Sequence, residues 1–258
     1  MRACLETGET GYRPMAARQG LGNTPLKLRP IAVCLIQFLA GAVGLAYCFA
    51  LMKSQHFPGF LIVIEGIDGA GKTTQADRIQ SALQGLGFTV VRTKEPTAGR
   101  WGKLLRDSAL TGRLSMEEEV ETFIKDRREH VENLILPELR AGHVVIVDRY
   151  YFSTAAYQGA RGMDPQALLA RNEEFAPEPD LLVLLDVEPK QGLERIRSRG
   201  DTANHFEVPD TLVRAREIFD SIDQPYLLKL DARKSPEELT GEIVRQFTRR
   251  YEEAKAKS

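Results

Sequence analysis

The sequence FLIVIEGIDGAGKTT, residues Phe60–Thr74, decides the fold. It opens with the unbroken apolar run Phe60–Ile64, which is typical of a strand buried on both faces, and it continues into a segment that favours a helix. Between the strand and the helix, four residues complete the spacing G-x-x-x-x-G-K-[ST]: Gly66, Gly71, Lys72 and Thr73. This spacing predicts a phosphate-binding loop.

The residue types in this loop match phosphate chemistry. Glycines allow backbone N–H groups and the start of the following helix to face an anion. Lys72 can reach the β and γ phosphates of a nucleotide, and the Thr73 hydroxyl can ligate Mg²⁺. The alternative, a glycine-rich turn with a solvated lysine, leaves the flanking strand and helix unexplained. We therefore predict that ATP binds to the whole loop: Gly66, Ile67, Asp68, Gly69, Ala70, Gly71, Lys72, Thr73 and Thr74.

Composition excludes several classes of protein. With 258 residues, 43% hydrophobic content and a formal net charge of −1, the chain is long enough for one sizeable globular domain. It lacks the surplus of Lys and Arg that general nucleic-acid binders carry, so we expect no nucleic-acid partner. The thiols of Cys4, Cys34 and Cys48 all precede Met52. The part after Met52 therefore has no disulfide, no cysteine metal site and no thiol chemistry, which fits a reducing compartment.

Residues 1–51 differ from the rest of the chain. They open with a stretch rich in Gly, Pro and Arg, and Ile31–Met52 is then an apolar segment long enough to cross a bilayer. If this segment crossed a membrane, the basic residues before it would hold the N-terminus in the cytoplasm. The nucleotide-dependent domain would then be exported to a place where ATP is scarce. We expect that translation starts at Met52 and that residues 52–258 form the nucleotide-binding domain. The alternatives are a membrane anchor over residues 31–52 and a targeting segment.

Strand and helix patterns alternate from Met52 onward. The long helix predicted over Met116–Ala141 opens with a capping box formed by Ser115 and Glu118. Five strands separated by helices predict an α/β fold with a parallel sheet and helices on both faces. We expect the charged tail Tyr251–Ser258 to fray. The predicted strands are Phe60–Ile64, Phe88–Arg92, His143–Asp148, Leu181–Val187 and Leu228–Asp231.

A second informative stretch, VVIVDRYYFSTAAYQGARG, covers Val144–Gly162. In an open α/β sheet, ligands bind outside the carboxyl ends of the strands, and Asp148 and Arg149 lie at such an end, on the same side as the phosphate loop. Asp148 suits outer-sphere coordination of Mg²⁺, and Arg149 suits bidentate binding of a second phosphate. A surface ion pair is the alternative interpretation.

Five motifs, in this order, resemble those of thymidylate kinases, the P-loop enzymes that phosphorylate dTMP from ATP. The resemblance covers Phe60–Phe247, essentially all of the predicted domain. It implies a P-loop NTPase three-layer sandwich with a five-stranded parallel sheet and a small lid. The motifs are EGIDGAGKTTQ at Glu65–Gln75, KEPT at Lys94–Thr97, F-x-x-x-R at Phe123–Arg127, DRYYFSTAAYQG at Asp148–Gly159 and PDLLVLLDV at Pro179–Val187.

The resemblance implies a dTMP site beside the phosphate loop. Asp68 would accept the sugar 3′-hydroxyl, and Arg149 would grip the dTMP phosphate. Phe123 would stack on the thymine ring, and Arg127 would hydrogen-bond the base edge. Tyr157 would pack under the deoxyribose and exclude a 2′-hydroxyl. The implied dTMP site also contains Lys94, Ser153, Thr154 and Gln158.

These residues also have ordinary structural interpretations. Asp68 could be a solvated loop acid, because Asp favours turns. Phe123 and Arg127 stand four apart on one helix face, and that pattern alone predicts an ordinary core residue at Phe123. Lys94 stands where the family usually has Arg. Lysine keeps the charge but lacks the bidentate fork of arginine, which implies a looser hold on phosphate. The remaining polar residues could cap the helix there: Ser153, Thr154 and Gln158.

The segment ERIRSRG, Glu194–Gly200, is the predicted lid. In the family, a phosphate loop without its own arginine goes with arginines in the lid that close over ATP, and Arg195, Arg197 and Arg199 are the candidates here. Closure would expel water and stabilise charge on the transferred phosphoryl group. From the spacing alone, such a charge run is more often a solvated helix face.

The resemblance as a whole implies a dTMP kinase that uses ATP and Mg²⁺. The γ-phosphoryl group would pass in line to the 5′-phosphate of dTMP, with charge neutralised by Lys72, Arg149 and the lid arginines, and with Mg²⁺ near Thr73 and Asp148. It also implies a homodimer, and we expect a cytoplasmic location. The alternatives are another (deoxy)nucleoside monophosphate kinase and a membrane-tethered nucleotide-binding regulator without turnover.

Overall fold

The apolar run that follows Gly59 forms the central strand of a parallel sheet in the computed structural model, which describes residues 57–112, 114–198 and 209–256. This strand, β1, is buried along its whole length because it has a strand on each side and helices over the sheet. The strand order is β2-β3-β1-β4-β5, and all pairings are parallel. The strands are β1 (Phe60–Glu65), β2 (Val90–Lys94), β3 (Val144–Asp148), β4 (Leu181–Asp186) and β5 (Leu227–Asp231).

Helices surround this sheet, and the α/β fold expected from the sequence is confirmed. The predicted long helix is also present, with its capping box at Ser115 and a π-helical turn, Val131–Ile135, in its middle. The described helices are α1 (Lys72–Gly85), α2 (Arg100–Thr111), α3 (Met116–His130), α4 (Leu136–Arg140), α5 (Tyr151–Gly159), α6 (Pro165–Glu173), α7 (Pro189–Ser198), α8 (Pro209–Asp220) and α9 (Pro236–Lys255).

Strand β2 begins later than the predicted Phe88. Gly87 adopts a φ of 90° after α1, and its N–H donates to Gln84 while the Phe88 N–H donates to Leu83. These two bonds form a Schellman cap, in which the residue after the glycine packs back on the core. The Phe88 ring accordingly lies edge-on to Phe247, with ring centroids 5.0 Å apart. Phe88 therefore belongs to the end of α1.

The expected fraying from Tyr251 onward is wrong for most of the tail. Helix α9 continues to Lys255. The Tyr251 ring packs against Phe60, Phe88 and Phe247, with centroid distances of 6.0, 5.1 and 5.4 Å. Aromatic burial of this kind holds the last turns of the helix on the core.

The domain boundary predicted at Met52 and the apolar segment 31–52 lie outside the described residues, so both remain predictions. Within residues 57–112, 114–198 and 209–256, no helix combines the length and the apolar character needed to cross a membrane.

The sheet register aligns the ends of three strands. Asp148 at the end of β3 is level with Ile64 of β1 and with Lys94 of β2. The chain leaves all three strands at the same edge, so the phosphate loop, Glu95 and Arg149 start from neighbouring positions. This edge carries the candidate site.

Candidate active site

The phosphate loop is tightly packed around Lys72. The Lys72 Nζ donates to the carbonyl oxygens of Gly66 and Ile67 at 2.9 and 2.8 Å. Burial and the nearby Arg149 lower the pKa of Lys72 to about 8. A Cβ on Gly69 would lie 2.2 Å from the backbone oxygen of Gly192, so only glycine fits there. The ammonium is thus held inside the loop, beside the start of α1.

Not every predicted residue of the loop can offer a side chain to a ligand. Ile67 and Ala70 are buried with 2% exposure, so only their backbones can take part in a site. The Ala70 N–H donates to the Ile67 carbonyl at 3.2 Å and stabilises the turn. Contact of these two residues with ATP remains a prediction, and only their backbone could make it.

Thr73 and Asp148 are brought together as the sequence predicts. The Thr73 hydroxyl donates to Asp148 Oδ2 at 2.6 Å, and the Asp148 carboxylate is almost fully buried. Both are hard oxygen donors of the kind that Mg²⁺ prefers. The alternative interpretation, a surface ion pair of Asp148 with Arg149, does not fit, because Arg149 pairs with Asp68 instead.

Arg149 adopts an unusual backbone conformation. It has a φ of 69°, the left-handed region that arginine rarely occupies, and such strain concentrates at functional sites. Its Nη2 donates to Asp68 Oδ1, and its guanidinium lies 5.6 Å from the centre of the Tyr157 ring. Although burial acts in the opposite direction, the Asp68 carboxylate raises the pKa of Arg149 above its ordinary value. The group is a fixed cation.

Asp68 links Arg149 to α5, the helix that follows Arg149 in the chain. Its second oxygen, Oδ2, accepts a hydrogen bond from the Tyr157 hydroxyl at 2.8 Å. Burial raises the pKa of Asp68, but the charges of Arg149 and Lys72 outweigh burial and lower it to about 2. Asp68 is therefore an ionised acceptor and not a solvated loop acid.

Two adjoining cavities open from this centre. The loop cavity, of about 260 Å³, is lined by Lys72, Thr73, Asp148 and the loop backbone. The inner cavity, of about 370 Å³, lies toward α2, α3 and α5 and has mainly apolar walls. Five residues line both cavities: Asp68, Glu95, Pro96, Arg106 and Arg149. The cation Arg149 thus stands between a polar cavity and an apolar one.

The inner cavity contains the residues predicted to bind a base. Phe123 lines it and is only half-buried, so the structure favours a binding role over that of an ordinary core residue. Arg127 lines the same wall with 1% exposure and pairs with Glu95 at 2.8 Å. Gln158 has 1% exposure, and neither atom of its amide has a hydrogen-bond partner. A buried, unpaired amide beside a cavity offers a donor and an acceptor that a ligand in the cavity can use.

Ser153 and Thr154 line the inner cavity but are already engaged. Ser153 donates through its N–H and its hydroxyl to Glu65, at 3.0 and 2.6 Å. Thr154 Oγ1 accepts from Arg127 at 3.1 Å. Both residues therefore hold the cavity wall in shape, and their predicted contact with dTMP remains a prediction.

Lys94 does not line the cavity that contains the predicted base-binding residues. Its exposed side chain lines the loop cavity, next to the phosphate loop. The inner cavity is instead lined by the next two residues, Glu95 and Pro96. The position of Lys94 suits contact with a phosphate and does not suit contact with a base.

Sequence reasoning missed several residues of the site. Helix α2 contributes Leu105, Arg106 and Ala109 to the inner cavity. The Arg106 Nη1 donates to the carbonyl oxygens of Pro96 and Thr97, at 3.0 and 2.7 Å. Helical periodicity shows which residues share a face of α2, but the packing of that face over the cavity depends on the tertiary fold.

The lid arginines have different positions. Arg195 donates to the carbonyl oxygens of Gly69 and Ala232, at 3.4 and 2.9 Å. It lines a shallow cavity together with Gln191, Glu194 and Arg233. Arg197 is exposed on the same helix, and Arg199 lies outside the described residues. A catalytic role for any of the three remains a prediction.

Comparisons with known proteins place these features in a family. The sequence model described as thymidylate kinase matches residues 64–243, which include every residue that lines the two cavities. The chain belongs to the thymidylate kinase family. A thymidylate kinase from Akkermansia muciniphila is 49% identical over 193 residues, covering 75% of this chain and 93% of that protein.

Further thymidylate kinases are similar over the same region. The one from Xanthomonas euvesicatoria is 57% identical over 174 residues, or 67% of this chain and 76% of that protein. The one from Xylella fastidiosa strain M23 is 53% identical over 187 residues, or 72% of this chain and 86% of that protein. The resemblance inferred from the five motifs is thereby confirmed at the level of the family.

Proposed function

We propose that this protein transfers the γ-phosphoryl group of ATP to the 5′-phosphate of dTMP and so produces ADP and dTDP. The observation that carries the proposal is the fixed cation Arg149, which lines both the loop cavity and the inner cavity. A triphosphate seated on the phosphate loop and a monophosphate held by Arg149 would meet at this residue. Membership of the thymidylate kinase family supports the same reaction.

The reaction needs positioning and charge neutralisation. An oxygen of the dTMP phosphate forms a bond to the γ-phosphorus as the bond from that phosphorus to the bridging oxygen of ADP breaks. The acceptor oxygen is already anionic, so no general base and no covalent enzyme intermediate are required. Lys72 and Arg149 would hold the two polyanions close together and offset the charge of the transferred group.

The inner cavity would take the thymidine part of dTMP. Phe123 would stack on the base, while Arg127 and the unpaired amide of Gln158 would reach its polar edge. Tyr157 would pack against the sugar, where a 2′-hydroxyl would collide with it. Asp68, an ionised acceptor, would bind the 3′-hydroxyl.

Magnesium fits the loop cavity. Among residues 57–112, 114–198 and 209–256, no cluster of three or more His, Cys, Asp or Glu side chains is arranged to hold a metal. Mg²⁺ in kinases is bound mainly by substrate phosphates and water, with one or two protein oxygens, and the Thr73 hydroxyl and the Asp148 carboxylate supply these. When bound, Mg²⁺ would neutralise charge on the β and γ phosphates.

We also propose a role for the lid arginines, an oligomeric state and a cellular location. Arg195 lies beside the loop, where it would contact ATP, and Arg197 and Arg199 are further candidates for closure over the phosphates. A homodimer and a cytoplasmic location are also proposed. Contact with a membrane is proposed only if the segment 31–52 is a genuine anchor.

An ADP-release assay with ATP, Mg²⁺ and a panel of acceptors tests this function. The panel contains dTMP, dUMP, dGMP, dCMP and AMP, and we expect dTMP to give the highest kcat/KM. The variant Lys72→Ala should lose at least about a hundredfold in kcat and still fold, because phosphate stabilisation is lost while the core remains. A higher kcat/KM for another acceptor would overturn the substrate, and near-normal turnover of Lys72→Ala would overturn the role of the loop.

A further inference from the structure

Arg127 is held from three directions within the wall of the inner cavity. Its Nε donates to Glu95 Oε2 at 2.8 Å, its Nη2 donates to Thr154 Oγ1 at 3.1 Å, and its Nη1 donates to Asn172 Oδ1. The guanidinium is planar and presents its donors in a rigid fork. The acceptors therefore decide how its remaining hydrogens face a ligand in the cavity.

Glu95 shares its carboxylate between Arg127 and a histidine. Oε2 accepts from Arg127, and Oε1 lies 2.9 Å from His130 Nδ1. A carboxylate paired with a guanidinium only accepts hydrogen bonds, so Nδ1 must carry the hydrogen. The other ring nitrogen, Nε2, lies 2.8 Å from Thr93 Oγ1 and accepts the threonine hydrogen when the ring is neutral.

The four side chains connect the edge of the sheet to α3. Thr93 lies in β2 and Glu95 directly follows this strand, whereas Arg127 and His130 are one turn apart on α3. Glu95, Arg127 and His130 are all buried, with exposures of 5%, 1% and 6%. In such a setting, hydrogen-bonded groups fix each other in one arrangement.

We propose that His130 and Thr93 are positioning residues for the acceptor nucleotide. His130 holds the Glu95 carboxylate, Glu95 holds Arg127, and Thr93 fixes the orientation of the imidazole ring. Neither His130 nor Thr93 lines either of the two cavities, so both act through Arg127. The inference rests on the proposed function, because it takes the inner cavity to be the dTMP site.

The arrangement predicts an effect on one substrate only. Loss of a single supporting hydrogen bond lets Arg127 turn away from the base and weakens dTMP binding by about three- to tenfold. Glu95 also borders the loop cavity, but the side chains of Lys72 and Thr73 hydrogen-bond to neither Glu95 nor His130. The KM for ATP should therefore change by less than about twofold. A general loss of packing would affect both substrates.

Steady-state kinetics of the full-length protein test the proposal, with dTMP and ATP varied in turn. We expect Thr93→Val and His130→Leu to raise the KM for dTMP about three- to tenfold, with kcat and the KM for ATP nearly unchanged. His130→Asn is the rescue variant, because its side-chain amide can donate to Glu95 from the position of Nδ1. It should stay closer to wild type than His130→Leu.

The matched control is Thr122→Val on the same helix. Its buried hydroxyl donates to the Glu118 carbonyl at 2.6 Å, within the helix, and its loss should leave the KM for dTMP unchanged. If His130→Leu does not fold, Thr93→Val carries the test. Equal changes for dTMP and ATP, no change in Thr93→Val, or no rescue by Asn would overturn the positioning role. Failure of the wild-type protein to phosphorylate dTMP would instead overturn the proposed function and the inference with it.

Discussion

If Lys72 binds phosphate as proposed, its ammonium must exchange its present hydrogen-bond partners when a nucleotide binds. In this structure its ammonium donates to two loop carbonyl oxygens, and its pKa lies near 8 because the group is buried beside Arg149. The ordinary pKa of lysine is 10.5, so the free protein holds this charge less firmly than a surface lysine does. Phosphate oxygens favour the charged form and would restore it.

This property predicts how ATP use depends on pH. Because the pKa of Lys72 in the free protein is lowered to about 8, the amine becomes neutral above that pH, and ATP must then bind together with a proton. We expect kcat/KM for ATP to fall as the pH rises through about 8. The measurement is kcat/KM for ATP between about pH 6.5 and 9.5, with calorimetry in two buffers to detect proton uptake. A profile that stays flat up to about pH 9.5 would contradict the lowered value.

Gln158 gives the second prediction for a single residue. Its amide is buried without a partner, which destabilises the free protein and is tolerated when a ligand supplies the missing bonds. Gln158→Leu should therefore lower kcat/KM for dTMP by about ten- to a hundredfold, while the melting temperature stays equal or rises. Kinetics and thermal unfolding together separate a ligand contact from a structural one, since the loss of a structurally important amide would lower the melting temperature.

At the scale of elements, sequence patterns succeed where the burial of a segment decides its structure. Strand β1 is buried on both faces and is visible as an apolar run, and the capping box at Ser115 fixes the start of α3 within one residue. Strand β2 lies at the edge of the sheet, where its residues alternate in exposure, and its start was missed because Phe88 belongs to the cap of α1.

In the candidate site too, residues next to a strand end could be predicted from the sequence, and residues that depend on tertiary contacts could not. Motif residues such as Asp148 and Arg149 were found because they follow directly from the end of a strand. Arg106 was missed because its role depends on α2 folding back over the loop after β2, which no local pattern reveals. The motif KEPT contains Glu95, but its pairing with Arg127 joins residues from two elements and becomes visible only in the folded chain.

The closing helix provides a prediction at this scale. Tyr251 is half-buried against three aromatic rings of β1, of the cap of α1 and of α9 itself. Tyr251→Ala should lower the free energy of unfolding by about 1–3 kcal/mol, less than for a fully buried ring. Urea unfolding measures this, and kcat at saturating substrates serves as the control, since the contact lies outside both cavities. An unchanged unfolding midpoint would show that the tail frays after all.

At the scale of the whole molecule, Glu65 connects the core to the site. It ends the central strand, and its carboxylate accepts from the N–H of Tyr150 at 2.7 Å and from the N–H and hydroxyl of Ser153 at 3.0 and 2.6 Å. These N–H groups belong to the first turn of α5, where backbone N–H groups lack the usual acceptor four residues earlier in the helix. Glu65 directly precedes the phosphate loop, and through these hydrogen bonds it also fixes the segment next to Arg149.

The position of Glu65 makes the stability of the fold depend on pH. Burial raises the pKa of Glu65 from 4.5 to about 7, although its hydrogen bonds and the charge of Arg149 oppose the shift. A carboxyl whose pKa is higher in the folded state binds its proton more tightly there, so its contribution to stability is complete below about pH 4.5 and is lost as the pH rises through about 7. Glu65→Gln keeps the shape of the side chain and removes the titration.

We expect the free energy of unfolding of Glu65→Gln, minus that of the wild type, to increase between about pH 5 and pH 8. Other groups that titrate in this range are present in both proteins and cancel in the difference. Urea unfolding at four pH values gives the measurement. A constant difference would mean that Glu65 titrates as it does in the unfolded chain. A decreasing difference would mean that the hydrogen bonds from Tyr150 and Ser153 outweigh the cost of burying the charge.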